Sequence, residues 1–159
     1  MRKRNIVSIV LTVIMMLSIT SNVFAGGNGD NSTTDYGPNP YVASIEEITR
    51  NNPNFREAVW TGDNLQLVVM TIPQNDDIGV EIHEKDDQFL YIVEGSGTAL
   101  MGDSDKNMDF SKSFQPGSGI FIPAGKWHNI VNTGLTPLKL FSVYAPPHHE
   151  HSVFDKTKK

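Results

Sequence analysis

Residues 116–132, which read PGSGIFIPAGKWHNIVN, decide the fold of this chain. Pro116-Gly117 predicts a turn into a short apolar strand, and Pro123 closes that strand. Gly125 then allows a sharp bend, because glycine adopts positive φ without a steric cost. His128 follows at the start of the next strand, where its side chain can point into the interior of a β structure.

The chain from Trp60 onward has the pattern of short strands separated by turns. Apolar or alternating runs occur at 65–72, 80–83, 89–94, 98–101, 120–122 and 138–145. A helix is predicted only before them, where Ser44 and Glu47 have the spacing of a capping box and Asn51-Asn52-Pro53 ends the pattern. Short strands and frequent turns predict an all-β barrel or sandwich with one short N-terminal helix.

The spacing of residues 116–132, PG-x5-P-x-G-x2-H-x3-N, resembles the second sequence motif of the cupin superfamily at every defining position. The resemblance extends over roughly Tyr41 to Pro147, and the chain is similar to small single-domain bacterial cupins. It implies a single double-stranded β-helix, or jelly-roll barrel. It also implies one divalent metal ion in the barrel mouth, with His128 as a ligand.

The first cupin motif, roughly G-x5-H-x-H-x3-4-E-x6-G, is matched in part. Gly95 occupies its closing glycine, whereas the opening glycine is displaced to Gly79. His83 stands where the family has its second histidine. A glutamate replaces the first histidine, and a glutamine replaces the glutamate. The resemblance therefore implies a modified metal site composed of Glu81, His83, Gln88 and His128.

The residue types themselves support the same set of ligands. Residues 81 and 83 share one face of a strand, because side chains alternate with period two. Gln88 falls on the next strand and His128 on a third, and a barrel brings such strands together. Two imidazoles, one carboxylate and one amide oxygen suit Fe, Mn, Ni or Zn as a divalent ion. Two histidines with one carboxylate are also the composition of the facial triad of non-haem iron oxygenases.

A structural interpretation stays open for each of these four residues. His128 can be a polar residue satisfied within the barrel mouth, and His83 an exposed histidine of a strand. Glu81 can form hydrogen bonds near the metal without touching it. Gln88 can contact a substrate instead of the metal, since amides are weak ligands.

The first residues predict a secretory signal peptide. A basic start at residues 2–4 precedes an apolar run over 6–19 and the small-residue site Val23-Phe24-Ala25. Because a membrane-spanning helix needs roughly 20 residues, we expect no stable membrane anchor. Cleavage near Ala25-Gly26 would give a secreted or periplasmic protein. The expected organisation is a signal peptide at 1–25, a flexible linker at 26–40, the barrel domain at 41–150 and a polar tail at 151–159.

Composition excludes several classes of function. The chain has 13 Lys and Arg and 18 Asp and Glu, and loss of three basic residues with the signal peptide leaves 10 − 18 = −8. A chain with this balance lacks the basic surface on which nucleic-acid binding depends. Cysteine is absent from the sequence, which excludes disulfides, thiolate ligands and cysteine catalysis.

Two functions fit these features. The first is a metal-dependent enzyme that acts on a small molecule with dioxygenase-like or isomerase-like chemistry, for which no catalytic residue can yet be assigned. The alternative is a non-catalytic cupin that captures a small ligand such as a saccharide or an organic acid. The two replacements in the first motif favour this alternative somewhat.

Two expectations concern surfaces away from the barrel mouth. Homodimerisation is common among similar cupins, and an edge strand such as residues 65–72 could mediate it. The tail is expected to be polar and irregular. The histidines at the start of the polar C-terminal segment from His148 to Lys159 are His148, His149 and His151. They are expected to be solvated, with metal binding at the surface as the alternative.

Overall fold

The structure, a computed structural model, describes residues 34–159. The predicted signal peptide and the beginning of the predicted linker lie outside the described residues. Within residues 34–159, no helix has the length and apolar character needed to cross a membrane.

One short helix precedes a series of strands. The helix α1 spans Ile45–Asn51, as predicted. The carbonyl oxygen of Ser44 accepts the first helical hydrogen bond, from the N–H of Ile48, but the side chain of Ser44 makes no capping hydrogen bond. The strands are β1 (Arg56–Thr61), β2 (Gln66–Ile72), β3 (Glu81–Ile82), β4 (Asp87–Glu94), β5 (Gly97–Gly102), β6 (Phe110–Phe114), β7 (Gly119–Ile122), β8 (Trp127–Val131), β9 (Leu138–Ala145) and β10 (Phe154–Asp155).

The strands form two antiparallel sheets. Six strands in the order β10-β1-β2-β9-β4-β7 make one sheet, and four in the order β3-β8-β5-β6 make the other. Strands distant in sequence, such as β2 and β9, are neighbours, as in a jelly roll. The predicted all-β jelly-roll fold is therefore confirmed.

The strand at residues 65–72 is not an edge strand, so that part of the dimerisation hypothesis is wrong. Within this stretch, β2 pairs with β1 on one side and with β9 on the other. The backbone N–H and C=O groups on both sides of β2 are consequently hydrogen-bonded to neighbouring strands.

The hydrophobic core lies between the sheets, and polar side chains gather at one end of it. Inward residues such as Val68, Leu90 and Leu140 are fully buried, as the period-two pattern predicts. At the end of the same sheet, the register aligns Gln66, Tyr144 and Gln88 in one inward, buried row. This polar end of the barrel positions the candidate site.

The C-terminal residues fold back onto the barrel. β10 pairs with β1, and the carboxylate of Asp155 lies 3.2 Å from the guanidinium of Arg56. The side chain of Asp155 is almost wholly buried. The prediction that the tail is irregular is thus wrong for β10, because this part of the tail forms backbone hydrogen bonds with β1 in the larger sheet.

Candidate metal centre

Glu81 is the centre of the candidate site. It lies in β3 directly opposite His128 of β8, and His83 follows β3 immediately. The Oε1 atom of Glu81 is 3.3 Å from Nε2 of His83 and 3.3 Å from Nε2 of His128. The three atoms lie within 4.8 Å of one another. The structure therefore brings three of the four predicted ligands together, as expected from strand alternation and barrel closure.

Both histidines are buried, and each directs an unpartnered nitrogen at the carboxylate. His83 is 3% exposed and His128 0%. Among residues 34–159, Nε2 of neither ring has a hydrogen-bond partner with good geometry. A buried polar atom without a partner is destabilising. A cation between the three side chains would satisfy both nitrogens at once.

The backbone around His128 sets the direction of its ring. Its Nδ1 atom lies 3.0 Å from the carbonyl oxygen of Lys126, two residues earlier. A neutral imidazole that donates Nδ1–H to this carbonyl keeps the lone pair of Nε2 for the site. The turn before β8 thus leaves Nε2 of His128 to face Glu81.

Gln88 presents an oxygen at the same end of the barrel. Its Nε2 atom donates to the hydroxyl of Ser142 at 2.9 Å and to that of Tyr144 at 3.0 Å. The Oε1 atom is buried and has no hydrogen-bond partner among the described residues. Gln88 is connected with the other three predicted ligands only through Tyr144, whose ring centroid lies 5.5 Å from that of His83.

The charges in the site follow from burial and from the imidazoles. Burial opposes ionisation of Glu81, but its contacts with His128 and His83 outweigh this and hold the pKa of the carboxyl well below its usual range. Burial and the negative charge of Glu81 together raise the pKa of Tyr144. At neutral pH the site therefore contains a carboxylate and a protonated phenol.

Asp86 and His148 reach the site, although the sequence analysis did not place them there. Asp86, in the bend between β3 and β4, is buried, and its Oδ2 atom lies 3.1 Å from Nδ1 of His83. Its Oδ1 atom accepts a hydrogen bond from Nδ1 of His148 at 3.1 Å. The ring of His148 stacks on His83 with centroids 3.8 Å apart. His148 remains exposed, as expected for the tail, but these contacts hold its ring against the site.

His149 is anchored beside it. The side chain of Gln66 forms two hydrogen bonds with the backbone of His149, at 2.9 Å to its N–H and 3.1 Å to its carbonyl oxygen. The Nε2 atom of His149 lies 3.4 Å from the hydroxyl of Tyr144. Burial, reinforced by the charge of Arg56, lowers the pKa of His149 to about 3. The expectation of a solvated ring is thus wrong for His149, whereas His151, with half of its side chain exposed, agrees with it.

The donor atoms fit a divalent metal. Two imidazole nitrogens, one ionised carboxylate and one unpartnered amide oxygen are a mixed set that suits first-row ions such as Fe, Mn, Ni and Zn. The carboxylate is already deprotonated, so metal binding needs no proton release from Glu81. The residues that could hold the ion are Glu81, His83, His128 and Gln88.

The fold is a jelly-roll barrel, and two histidines and a carboxylate lie together at one end of it. These features define the class of the protein as a β-barrel with a candidate metal centre. Comparison with known families agrees: the sequence model of the cupin domain matches residues 68–144. This match begins within β2, stops one residue before the end of β9 and includes all four predicted ligands. The chain belongs to the cupin family.

Known relatives resemble most of the chain. The uncharacterized protein YrkC of Bacillus subtilis is 47% identical over 124 residues, which are 78% of this chain and 67% of that protein. The uncharacterized protein L612 of Acanthamoeba polyphaga mimivirus is 39% identical over 116 residues, covering 72% and 71%. The protein BH2720 from Bacillus halodurans, whose crystal structure is known, is 50% identical in sequence to this chain. The two structures superpose with a TM-score of 0.78, and the match covers 79% of this chain and 95% of BH2720.

Proposed function

We propose that this protein is an exported cupin that binds one divalent metal ion and acts on a small molecule at that ion. Glu81, His83 and His128 would be the ligands, with the amide oxygen of Gln88 as a fourth donor. The observation that carries the proposal is the pair of buried Nε2 atoms, each 3.3 Å from the same carboxylate oxygen and without a hydrogen-bond partner in residues 34–159.

The donor set favours dioxygenase-like chemistry over isomerase-like chemistry. Two histidines and one carboxylate are the ligands of non-haem iron oxygenases, whose open positions receive oxygen and substrate. A metal bound here would supply a Lewis acid and a binding position for such small molecules. The chain's own part is to direct Nε2 of His128 at the site through the Lys126 carbonyl and to orient the Gln88 amide through Tyr144.

Capture of a small ligand without catalysis is the second candidate function. The neutral Gln88 at a position where the family has glutamate supports it, because a neutral amide binds a metal more weakly than a carboxylate does. A saccharide or an organic acid would suit such a site. The ligand would then be recognised by hydrogen bonds within the polar end of the barrel.

Export and homodimerisation complete the proposal. Export to the cell exterior or the periplasm rests on the basic, apolar and small-residue segments of residues 1–25. Homodimerisation rests on analogy with similar cupins, and it needs a surface other than the edges of β2.

Oxygen consumption and thermal shift together separate the two functions. The protein without residues 1–25 is loaded anaerobically with Fe(II) and mixed with panels of organic acids and saccharides. His128→Ala is the test variant, and His151→Ala is the control at an exposed histidine. Catalysis predicts compound-dependent oxygen uptake in the wild type and the control, but not in His128→Ala. A raised Tm without uptake supports capture, and neither response to any compound contradicts both functions.

A further inference from the structure

The outer face of the six-stranded sheet is apolar over most of its width. Side chains alternate along a strand, so the neighbours of buried Leu90 and its counterparts point away from the core. The strand register aligns Phe121, Phe89, Val143 and Leu67 in one outward row across β7, β4, β9 and β2. The rings of Phe89 and Phe121 contact each other, with centroids 4.9 Å apart. This row is therefore a continuous apolar stripe.

A ridge and a valley give this face its relief. The ridge consists of residues 41–51: α1 contacts β2, β4 and β9, and Ile45 borders an apolar groove together with the outward-facing Leu67. The valley lies beside the ridge, over β4 and β7. It is a depression of about 320 Å³ bordered by Phe89 and Phe121, with Val143 at the side of the ridge. The two features are thus neighbours on one apolar surface.

The ridge and the valley each expose a large apolar side chain. Val42, on the ridge, is 98% exposed, and Phe121, in the valley, is 73% exposed. Leu65, which borders the groove beside the ridge, is also exposed. Contiguous apolar surface of this kind marks a site of interaction.

The size of the face suits a stable protein interface. Five strands from β7 to β1 measure about 24 Å across, and residues 139–145 of β9 measure about 20 Å, which gives roughly 500 Å² in projection. The relief of the ridge and the valley raises the accessible area above this projection. The face thereby approaches the roughly 800 Å² that each partner buries in a complex of standard size.

The shape and the charge of the face favour a second copy of this chain as the partner. A two-fold axis that runs along the strands, between the ridge and the valley, places the ridge of each copy over the valley of the other. Such reciprocal contacts define an isologous dimer. The rim of the face is acidic, with Asp87 beside the valley and Glu46 and Glu47 in the first turn of α1. Nucleic acids and anionic membranes are disfavoured there, because both attract basic surfaces.

We propose that the protein forms a two-fold dimer through this face, with Val42 of each copy seated against Phe121 of the other. The contact is made by side chains, which agrees with the fully paired backbone of β2. This interface rests on the proposed homodimerisation and gives it a surface. It does not depend on the metal centre.

Sedimentation velocity over a range of concentrations is the first test, applied to the full chain and to the protein without residues 1–25. Both are expected to be dimers. Phe121→Lys places a charge in the interface and should raise the dissociation constant of the dimer by about 30-fold or more, the effect of losing a central anchor. Leu135→Lys, at an 87% exposed leucine between β8 and β9, is the matched control and should dimerise as the wild type does. Circular dichroism checks that both variants are folded.

The outcomes separate this interface from homodimerisation itself. A wild-type dimer that Phe121→Lys leaves unchanged overturns the interface, while homodimerisation stands. A monomeric wild type overturns both. A difference in oligomeric state between the full chain and the shortened chain would show that residues 1–25 cover the face or create the contact, which also overturns the proposal.

Cysteine cross-linking tests the seating of Val42, and the chain has no cysteine of its own to interfere. Val42→Cys and Phe121→Cys proteins are mixed under reducing conditions, left to exchange subunits and then oxidised. The mixture should yield far more covalent dimer than either variant alone, because a disulfide needs Cα atoms within roughly 7 Å. Leu135→Cys in place of Phe121→Cys is the control and should yield none. An uncross-linked mixture, or equal cross-linking of Phe121→Cys by itself, overturns the seating.

Discussion

The side-chain amide of Gln88 donates to the hydroxyl of Tyr144 at 3.0 Å, and this contact fixes which end of the amide is left without a partner among residues 34–159. A second donation, to Ser142, uses the other N–H. The carbonyl oxygen is left as the only free polar atom of the side chain. The barrel is thus built to present a neutral oxygen where the family usually has a carboxylate.

Replacing this neutral oxygen with a charged one should strengthen metal binding and weaken the metal-free fold. For Gln88→Glu we expect zinc affinity about tenfold higher, or about 1.4 kcal/mol, because a carboxylate attracts the cation more strongly. The metal-free variant should lose about 1–3 kcal/mol of unfolding free energy, since a second buried negative charge is placed near Glu81. Competition titration and urea unfolding measure the two effects.

The matched control for this exchange is Gln115→Glu, at an exposed turn before β7. It adds the same charge outside the barrel and should leave zinc affinity unchanged. A Gln88→Glu protein with weaker zinc binding would indicate that the amide oxygen does not face the metal.

His149 should make the stability of the metal-free protein depend on pH. Burial lowers its pKa to about 3, whereas an unfolded histidine titrates near 6.5. Between these values the unfolded chain binds a proton that the folded chain does not, so stability falls as pH falls through this window. The contribution is at most about 1.4 kcal/mol per pH unit, and above the unfolded pKa it is constant.

The measurement is the free energy of unfolding from pH 7 to pH 4 for the wild type, His149→Gln and His151→Gln. His149→Gln should show a shallower decline, because glutamine binds no proton in either state. His151→Gln should follow the wild type, as expected for a half-exposed ring. Parallel curves for all three proteins would show that His149 is protonated normally in the fold.

Two glycines of the sequence motifs should differ in their tolerance of alanine. Both have positive φ, 84° at Gly95 and 79° at Gly125. A Cβ atom at Gly95 would lie 2.9 Å from the backbone of Leu138, whereas one at Gly125 would meet nothing within 4 Å. Gly125→Ala should therefore cost about 1–2 kcal/mol, the penalty of the left-handed backbone, and Gly95→Ala more. Urea unfolding of both variants tests this order, and equal losses would contradict it.

The sequence contains most of the information about the fold and about the juxtaposition of Glu81, His83 and His128. The spacing within residues 116–132 predicts the turn, the strand and the position of His128. Strand alternation places Glu81 and His83 on one face, and the register of β3 with β8 then brings Glu81 opposite His128. These predictions succeed because they depend on local geometry and on closure of one barrel.

Features created by distant contacts were not predictable in the same way. His148 reaches His83 across 65 positions because the C-terminal residues fold back over the barrel end. Asp86 follows His83 by three residues, yet one of its two imidazole contacts, with His148, comes from that returning segment. β6 (Phe110–Phe114) was missed because four of its five residues are exposed, so it lacks an alternating apolar pattern.

The metal content of the protein without residues 1–25, purified without a histidine tag, tests the central claim most directly. We expect about one divalent metal ion per chain in the wild type, and its loss in both His83→Ala and His128→Ala while the fold is retained. His151→Ala should keep the metal. A wild-type protein that is metal-free and stays so after incubation with Fe(II), Mn(II), Ni(II) and Zn(II) would contradict the metal centre.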